Sequence, residues 1–214
     1  MPEYRKETLA ANLDDELQAV VQDCPDVQVA FASDGATTHW EHLAEMQHRL
    51  PEGVTSRQLL DFCHGAKYLF DAAKLVHEDE GIATAVAEGW RSMLRHRKDG
   101  PEIVLRALRY QRDQCTSEAQ RESLETIIEF LAAHKHNGRL AYREAENDAF
   151  PIGTGNTEAA AKTIVNIRMK RAGARYSTHG GQTILNFRSA LLSGRFDATM
   201  REIVKRYSAQ VEAA

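Results

Sequence analysis

The 214-residue sequence has no apolar run near the roughly 20 residues that cross a bilayer, so it predicts no membrane-spanning helix. Its N-terminal segment, MPEYRKETLAANLDDE, is too polar for a secretory signal peptide. The three cysteines, Cys24, Cys63 and Cys115, are odd in number and scattered, which is typical of free thiols in a reducing compartment and excludes a disulfide scaffold. We therefore expect a cytoplasmic protein with no membrane partner.

The charge is unevenly distributed along the chain. Residues 159–206 hold ten Lys and Arg against two acidic residues, a net charge of +8, whereas the whole chain carries -4. Such a basic segment on an acidic chain predicts a polyanionic partner, with nucleic acid first, although a solvated basic helix face gives the same pattern.

Hydrophobic spacing predicts an alternation of helix and strand near the N-terminus. It indicates a helix over residues 5–23, a strand within 27–36, a helix over 38–49 and a strand over 58–63. Asp34 and Asp61 therefore fall at or just past the ends of the two strands.

From Gly65 to about residue 147 the strand signals disappear and helical patterns separated by short breaks follow. In this stretch His134 and His136 look like the solvated end of a helix. Beyond it, Gly153 and Gly155 predict a flexible turn before a helix that begins at Glu158 and ends near residue 173. Two more helices are expected over 180–192 and 197–208.

Three acids, Asp34, Asp61 and Glu158, are the candidates for chemistry. Carboxylates that cluster need a cation, and such hard oxygen ligands suit Mg²⁺ or Mn²⁺. The same residues have ordinary interpretations, because Asp is common in turns and Glu is favoured in the first turn of a helix. His64, three residues after Asp61, could orient the site or contact a phosphate, or could be a core histidine bonded to a carbonyl.

These acidic regions together resemble Mutator-like and related bacterial insertion-sequence transposases. The resemblance is carried by Ser33-Asp34-Gly35, by Asp61-x-x-His64, and most specifically by residues 152–173, IGTGNTEAAAKTIVNIRMKRAG. It continues through residues 180–182 and 186–189 and so covers most of the chain.

The resemblance implies an RNase H-like DDE domain that cleaves DNA and transfers strands with Mg²⁺ or Mn²⁺. It makes Asp34 and Glu158 the catalytic, metal-binding acids and Asp61 and His64 accessory residues. The implied fold is helix-rich α/β, a partial RNase H-like core interrupted by an all-α insertion. Residues 1–64 form the central core, 65–150 the insertion and 151–214 the C-terminal helices. Their DNA-binding face carries Lys162, Arg168, Lys170, Arg171 and Arg175.

One carboxylate of the family's triad has no counterpart here. Only 33 residues precede Asp34, which leaves no room for the strands that carry the first aspartate. Asp14 and Asp15 lie in a helical pattern and are poor substitutes. The sequence therefore predicts the C-terminal portion of a transposase, inactive or nearly so alone, which forms homo-oligomers or pairs with a chain that supplies the missing part.

Two other functions stay open. The chain can be a non-catalytic DNA-binding protein or regulator derived from a transposase, which uses the basic helices after Glu158. It can also be a decayed reading frame without function. DNA affinity that survives loss of Asp34 and Glu158 favours the first, and lack of a stable fold favours the second.

Overall fold

A computed structural model describes residues 6–212, with the side chains of all but residues 6–9, 37, 210 and 212. Helices account for 71% of the chain and strands for 5%, so the expected helix-rich α/β class is confirmed at this level. The chain divides after Thr154 into two compact units, Met1–Thr154 and Gly155–Ala214. No described helix has the length and apolar character needed to cross a membrane.

The first unit contains two strands and seven helices among its described residues. In chain order these are α1 (Lys6–Asp23), β1 (Val29–Ser33), α2 (Thr37–His48), β2 (Ser56–Leu60), α3 (Phe62–Val76), α4 (Glu80–His96), α5 (Gly100–Gln114), α6 (Glu118–His136) and α7 (Tyr142–Asn147). The predicted order helix, strand, helix, strand is thus observed, and residue 5 of the first predicted helix lies outside the described residues.

The two strands pair in parallel, with Val29 opposite Ser56 and Ser33 opposite Leu60. Val29, Phe31 and Ser33 are buried and alternate with half-buried alanines, as expected of a strand with one face on the core. The second strand begins two residues earlier and ends three residues earlier than predicted. It ends at Leu60, because the Asp61 side chain accepts the backbone N–H of His64 and begins α3.

One hydrophobic core joins the sheet to the helical segment. Leu59 and Leu60 of β2 lie in the same buried cluster as side chains from α3, α4, α5 and α6. Small residues on α3 and α4, among them Ala72, Ala83 and Ala87, are fully buried there and allow the helices to approach closely. The segments expected as 1–64 and 65–150 therefore share a core, which gives the carboxyl edge of the sheet a rigid support.

The second unit consists of short and long helices with little burial. These are α8 (Gly155–Ala161), a π-helical turn (Lys162–Asn166), α9 (Ile167–Met169), α10 (Thr178–Leu192) and α11 (Phe196–Glu212). Among its residues with described burial, Gly181 alone is buried. The helix predicted from Glu158 to near residue 173 begins at Gly155 instead and ends at Met169, after passing through the π-helical turn.

Arg188 of α10 is bound to that π-helical turn. Within the turn the backbone N–H of Ile167 donates to the carbonyl of Lys162, five residues back, rather than to that of Thr163. The Arg188 guanidinium donates to the carbonyl oxygens of Thr163 and Ile164, at 2.6 and 3.1 Å. Arg188 is therefore a structural residue and not one of the free cations of the basic segment.

Candidate functional site

Asp34 directly follows β1, at the carboxyl edge of the sheet. Its Oδ1 accepts the backbone N–H of Ala36 at 3.3 Å and lies 3.4 Å from the Ser33 hydroxyl. Gly35, with φ of +104°, allows the chain to turn there. The hydrogen bond from Ala36 is the main cause that lowers the pKa of Asp34, against a smaller opposing effect of burial. Asp34 is therefore an ionised, half-exposed carboxylate whose Oδ2 has no hydrogen-bond partner among the described residues.

Asp61 follows β2 at the same edge, since Asp61 N–H donates to the Ser33 carbonyl. It is 2% exposed, and both of its oxygens are occupied. Oδ1 accepts the backbone N–H of His64 at 2.9 Å and lies 3.2 Å from His64 Nδ1. Oδ2 accepts the backbone N–H of Thr154 at 2.6 Å and its hydroxyl at 2.8 Å.

These hydrogen bonds decide the charge of Asp61. Burial raises the pKa of this carboxyl group, but the donors of Thr154 and His64 together outweigh burial and leave the pKa below its usual value. Asp61 is thus a buried carboxylate with no oxygen free for a metal ion. Gly153 lies against it, since a Cβ there would be 3.4 Å from Oδ2.

His64 lies in the first turn of α3, with 43% of its side chain exposed. Its ring contacts the Asp61 carboxylate rather than a backbone carbonyl, so the core-histidine interpretation is wrong. The fold therefore brings Asp34, Asp61 and His64 to one edge of the sheet.

Two histidines near Asp34 were not predicted from the sequence. His39, in the first turns of α2, has its Nδ1 3.6 Å from Asp34 Oδ1 and 3.4 Å from the Ser33 hydroxyl. His134 was expected at a solvated helix end, but it is 5% exposed and packs against the rings of Trp40 and Phe130. Burial lowers the pKa of His134 to about 4, with a smaller effect of Arg139.

Glu158 lies in the first turn of α8, in the second unit, and is exposed. Its carboxylate has no hydrogen bond or ion pair with a residue of the described range. Within residues 6–212 no group of three or more His, Cys, Asp or Glu side chains is arranged to hold a metal ion. Asp34 and Glu158 are therefore each free to bind a ligand, in separate units.

The five residues expected to bind DNA are all exposed in the second unit: Lys162, Arg168, Lys170, Arg171 and Arg175. Arg171 Nε donates to the carbonyl of Ile167, and none of the five forms an ion pair with a described residue. Their charges are thus available to an anionic partner.

Comparison of the chain with protein-family models, with curated proteins and with solved structures found no match.

Proposed function

We propose that this chain is part of a DDE-type transposase, which in its complete form cleaves DNA and transfers strands at element ends. The observation that supports this best is the carboxyl edge of the parallel sheet. There an ionised Asp34 with a free oxygen stands beside a fully hydrogen-bonded Asp61 and its partner His64. In this proposal the core is RNase H-like, and the sites of action are cytoplasmic or on the nucleoid.

The donor chemistry of the two free acids fits a hard divalent cation. Asp34 and Glu158 would hold Mg²⁺ or Mn²⁺ through carboxylate oxygens. When bound, such ions activate a water or a 3′-hydroxyl and stabilise the leaving oxygen of a phosphodiester. The Ala36 N–H lowers the pKa of Asp34, and the ring of His39 lies 3.6 Å from its Oδ1.

Catalytic power is the first property to test. Asp34 and Glu158 supply two of the three carboxylates of a DDE site, so we expect weak metal binding and little or no cleavage by the 214-residue chain. Purified protein is incubated with duplex DNA and Mg²⁺ or Mn²⁺, with Glu158→Ala as the control. Robust cleavage that Glu158→Ala abolishes contradicts the expected inactivity.

DNA binding is the second property to test. The alternative function, a non-catalytic DNA-binding protein or regulator, also requires it. If Lys170 and Arg171 each contact a phosphate, the double substitution to Gln lowers the slope of log affinity against log salt by about 2. Substitution of Lys67 and Arg109, exposed in the first unit, removes the same charge and serves as the matched control.

The variants of the acids separate the two functions. Unchanged DNA affinity in Asp34→Asn and Glu158→Gln, with no cleavage even when a complementing chain is present, favours the non-catalytic regulator. Equal loss of affinity in the basic variant and in its control argues against a DNA-binding face on the second unit.

Pairing with another chain is supported by two surfaces. In the parallel ladder, the backbone groups of Val29, Phe31 and Ser33 form the hydrogen bonds to β2. The peptide groups of Ala30 and Ala32 therefore face the other edge of β1. No described strand pairs with that edge, which carries neither charge nor proline to protect it. In α11, the apolar side chains of Ile203, Val204, Tyr207 and Val211 are exposed.

We propose that these surfaces are covered in a homo-oligomer or by a chain that supplies further strands of the core. Mass measurement of the purified protein in solution tests the homo-oligomer. The DNA directly upstream of the Met1 codon tests the second partner. A segment in frame, or one frameshift away, that encodes strands with a central aspartate supports it, and its absence favours a DNA-binding remnant.

A further inference from the structure

Asp61 is the one acid that is buried among the residues with described burial. A helix cap needs one carboxylate oxygen and one backbone N–H. Asp79 shows this minimum at the start of α4, where its Oδ1 accepts the N–H of Ile82 at 2.8 Å. Asp61 makes that bond and, in addition, contacts the ring of His64 and both donors of Thr154. Capping alone therefore does not account for it.

The hydrogen-bond partners of Asp61 determine whether its carboxyl group is ionised and which ring nitrogen of His64 carries the hydrogen. The backbone N–H groups of His64 and Thr154 can only donate, so both carboxylate oxygens act as acceptors. An ionised carboxylate 3.2 Å from His64 Nδ1 requires that Nδ1 carry the hydrogen. In the neutral ring the other nitrogen, Nε2, is then a bare acceptor, and it has no hydrogen-bond partner among the described residues.

We propose that Asp61 is a positioning residue that holds His64 in its Nδ1–H form, so that Nε2 presents a free lone pair at the sheet edge that also carries Asp34. Through its second oxygen, Asp61 also fixes Thr154, the last residue before α8. This inference rests on the proposed function and adds to it a specific role for His64. Its Nε2 accepts a hydrogen bond from a water or hydroxyl group of a ligand bound at Asp34.

The tautomer of His64 can be measured directly by nitrogen-15 NMR of histidine-labelled full-length protein, in alkaline buffer without DNA or metal. The signals of His64 are identified by their loss in His64→Gln. We expect a pyrrole-type nitrogen at Nδ1 and a pyridine-type nitrogen at Nε2. A neutral imidazole in water favours the opposite form, so a predominant Nε2–H signal in the wild-type protein overturns the inference.

The variant Asp61→Ser tests whether Asp61 is the cause. Serine caps helices about as well as aspartate, so α3 keeps its first turn, but its short side chain does not supply a carboxylate to the ring. We expect the ratio of the Nδ1–H to the Nε2–H form to fall at least about tenfold, because a charge-assisted hydrogen bond is lost. Asp79→Ser, which also alters a cap, leaves the ratio unchanged.

A second variant covers the case in which Asp61→Ser does not fold. Thr154→Val removes one donor from Oδ2 and leaves Oδ1 on the ring, so it should keep the Nδ1–H form. Persistence of that form in folded Asp61→Ser shows that another group sets it and overturns the inference. Since no DNA or metal is present, failure here is distinguishable from failure of the transposase assignment, which the cleavage and DNA-binding assays test.

Discussion

Removal of the Asp61 carboxylate is expected to destabilise the first unit far more than removal of a comparable helix cap. Asp61→Ala deletes the cap and leaves both donors of Thr154 without their acceptor, the Asp61 carboxylate. In the wild type Asp61 is 2% exposed. Each donor that loses its acceptor costs about 1–3 kcal/mol and the cap about 1 kcal/mol, so we expect a loss of about 3–7 kcal/mol. Asp79→Ala, which removes one exposed cap bond, should lose about 1 kcal/mol.

Urea unfolding followed by tryptophan fluorescence measures this difference, because Trp40 and Trp90 both belong to the first unit. The pKa of Asp61 is lowered in the folded state, so its contribution is present above the unfolded pKa near 3.8 and is lost as pH falls through the folded value. The gap between wild type and Asp61→Ala should therefore narrow in acid. Equal losses for Asp61→Ala and Asp79→Ala at neutral pH refute the reasoning.

Three further predictions concern other contacts. His134 has a folded pKa of about 4 against 6.5 unfolded, so its contribution is lost as pH falls from 6.5 towards 4. The stability advantage of wild type over His134→Gln should shrink by about 2 kcal/mol between about pH 7 and about pH 5 in urea melts, and a constant advantage argues against a buried neutral ring. Gly35→Ala and Gly53→Ala share the positive φ, but only the former places a Cβ 2.7 Å from a ring carbon. We expect an extra loss of about 1–3 kcal/mol for Gly35→Ala, and similar melting of the two variants contradicts this. Arg188→Lys removes the guanidinium that holds the carbonyls of the π-helical turn, so it should speed amide hydrogen exchange across residues 162–169, whereas Arg201→Lys should not. Equal exchange in the two variants argues against a stabilising contact between Arg188 and these carbonyls.

The sheet and its acids could be predicted because their signals are local. Val29 and Phe31 alternate with smaller residues, and the Ser33-Asp34-Gly35 turn marks the end of the strand. Asp61 was expected near the end of a strand over 58–63, and the observed strand ends one residue before it. Its Oδ2 also accepts two hydrogen bonds from Thr154, 93 residues away in the chain. This is a tertiary contact, which no local sequence pattern can predict.

The burial of His134 was missed although a signal existed. It lies three residues after Leu131 and seven after Ile127, on the helix face that also carries Leu124 and is buried. The flanking Lys135 and His136 made the helix end look solvated. The prediction followed the polar neighbours, whereas the 3.6-residue spacing of the apolar residues correctly indicates that His134 lies on the buried face.

The π-helical turn had no sequence signal. Its stretch, residues 162–166, reads as an ordinary continuation of α8, because helical periodicity does not distinguish bonds to the fourth residue from bonds to the fifth. The carbonyls of Thr163 and Ile164 are taken by Arg188, more than twenty residues later. The sequence therefore gives no sign that the side chain of Arg188 is held by these carbonyls.

The most direct test of the proposed metal-binding role of Asp34 and Glu158 is paramagnetic broadening of amide signals by low concentrations of Mn²⁺. We predict that Mn²⁺ broadens the signals next to Asp34 and that Asp34→Asn removes this effect, and we predict the same for Glu158 with Glu158→Gln. Absence of broadening next to the two acids, or broadening that persists after both are substituted, contradicts the proposed metal site.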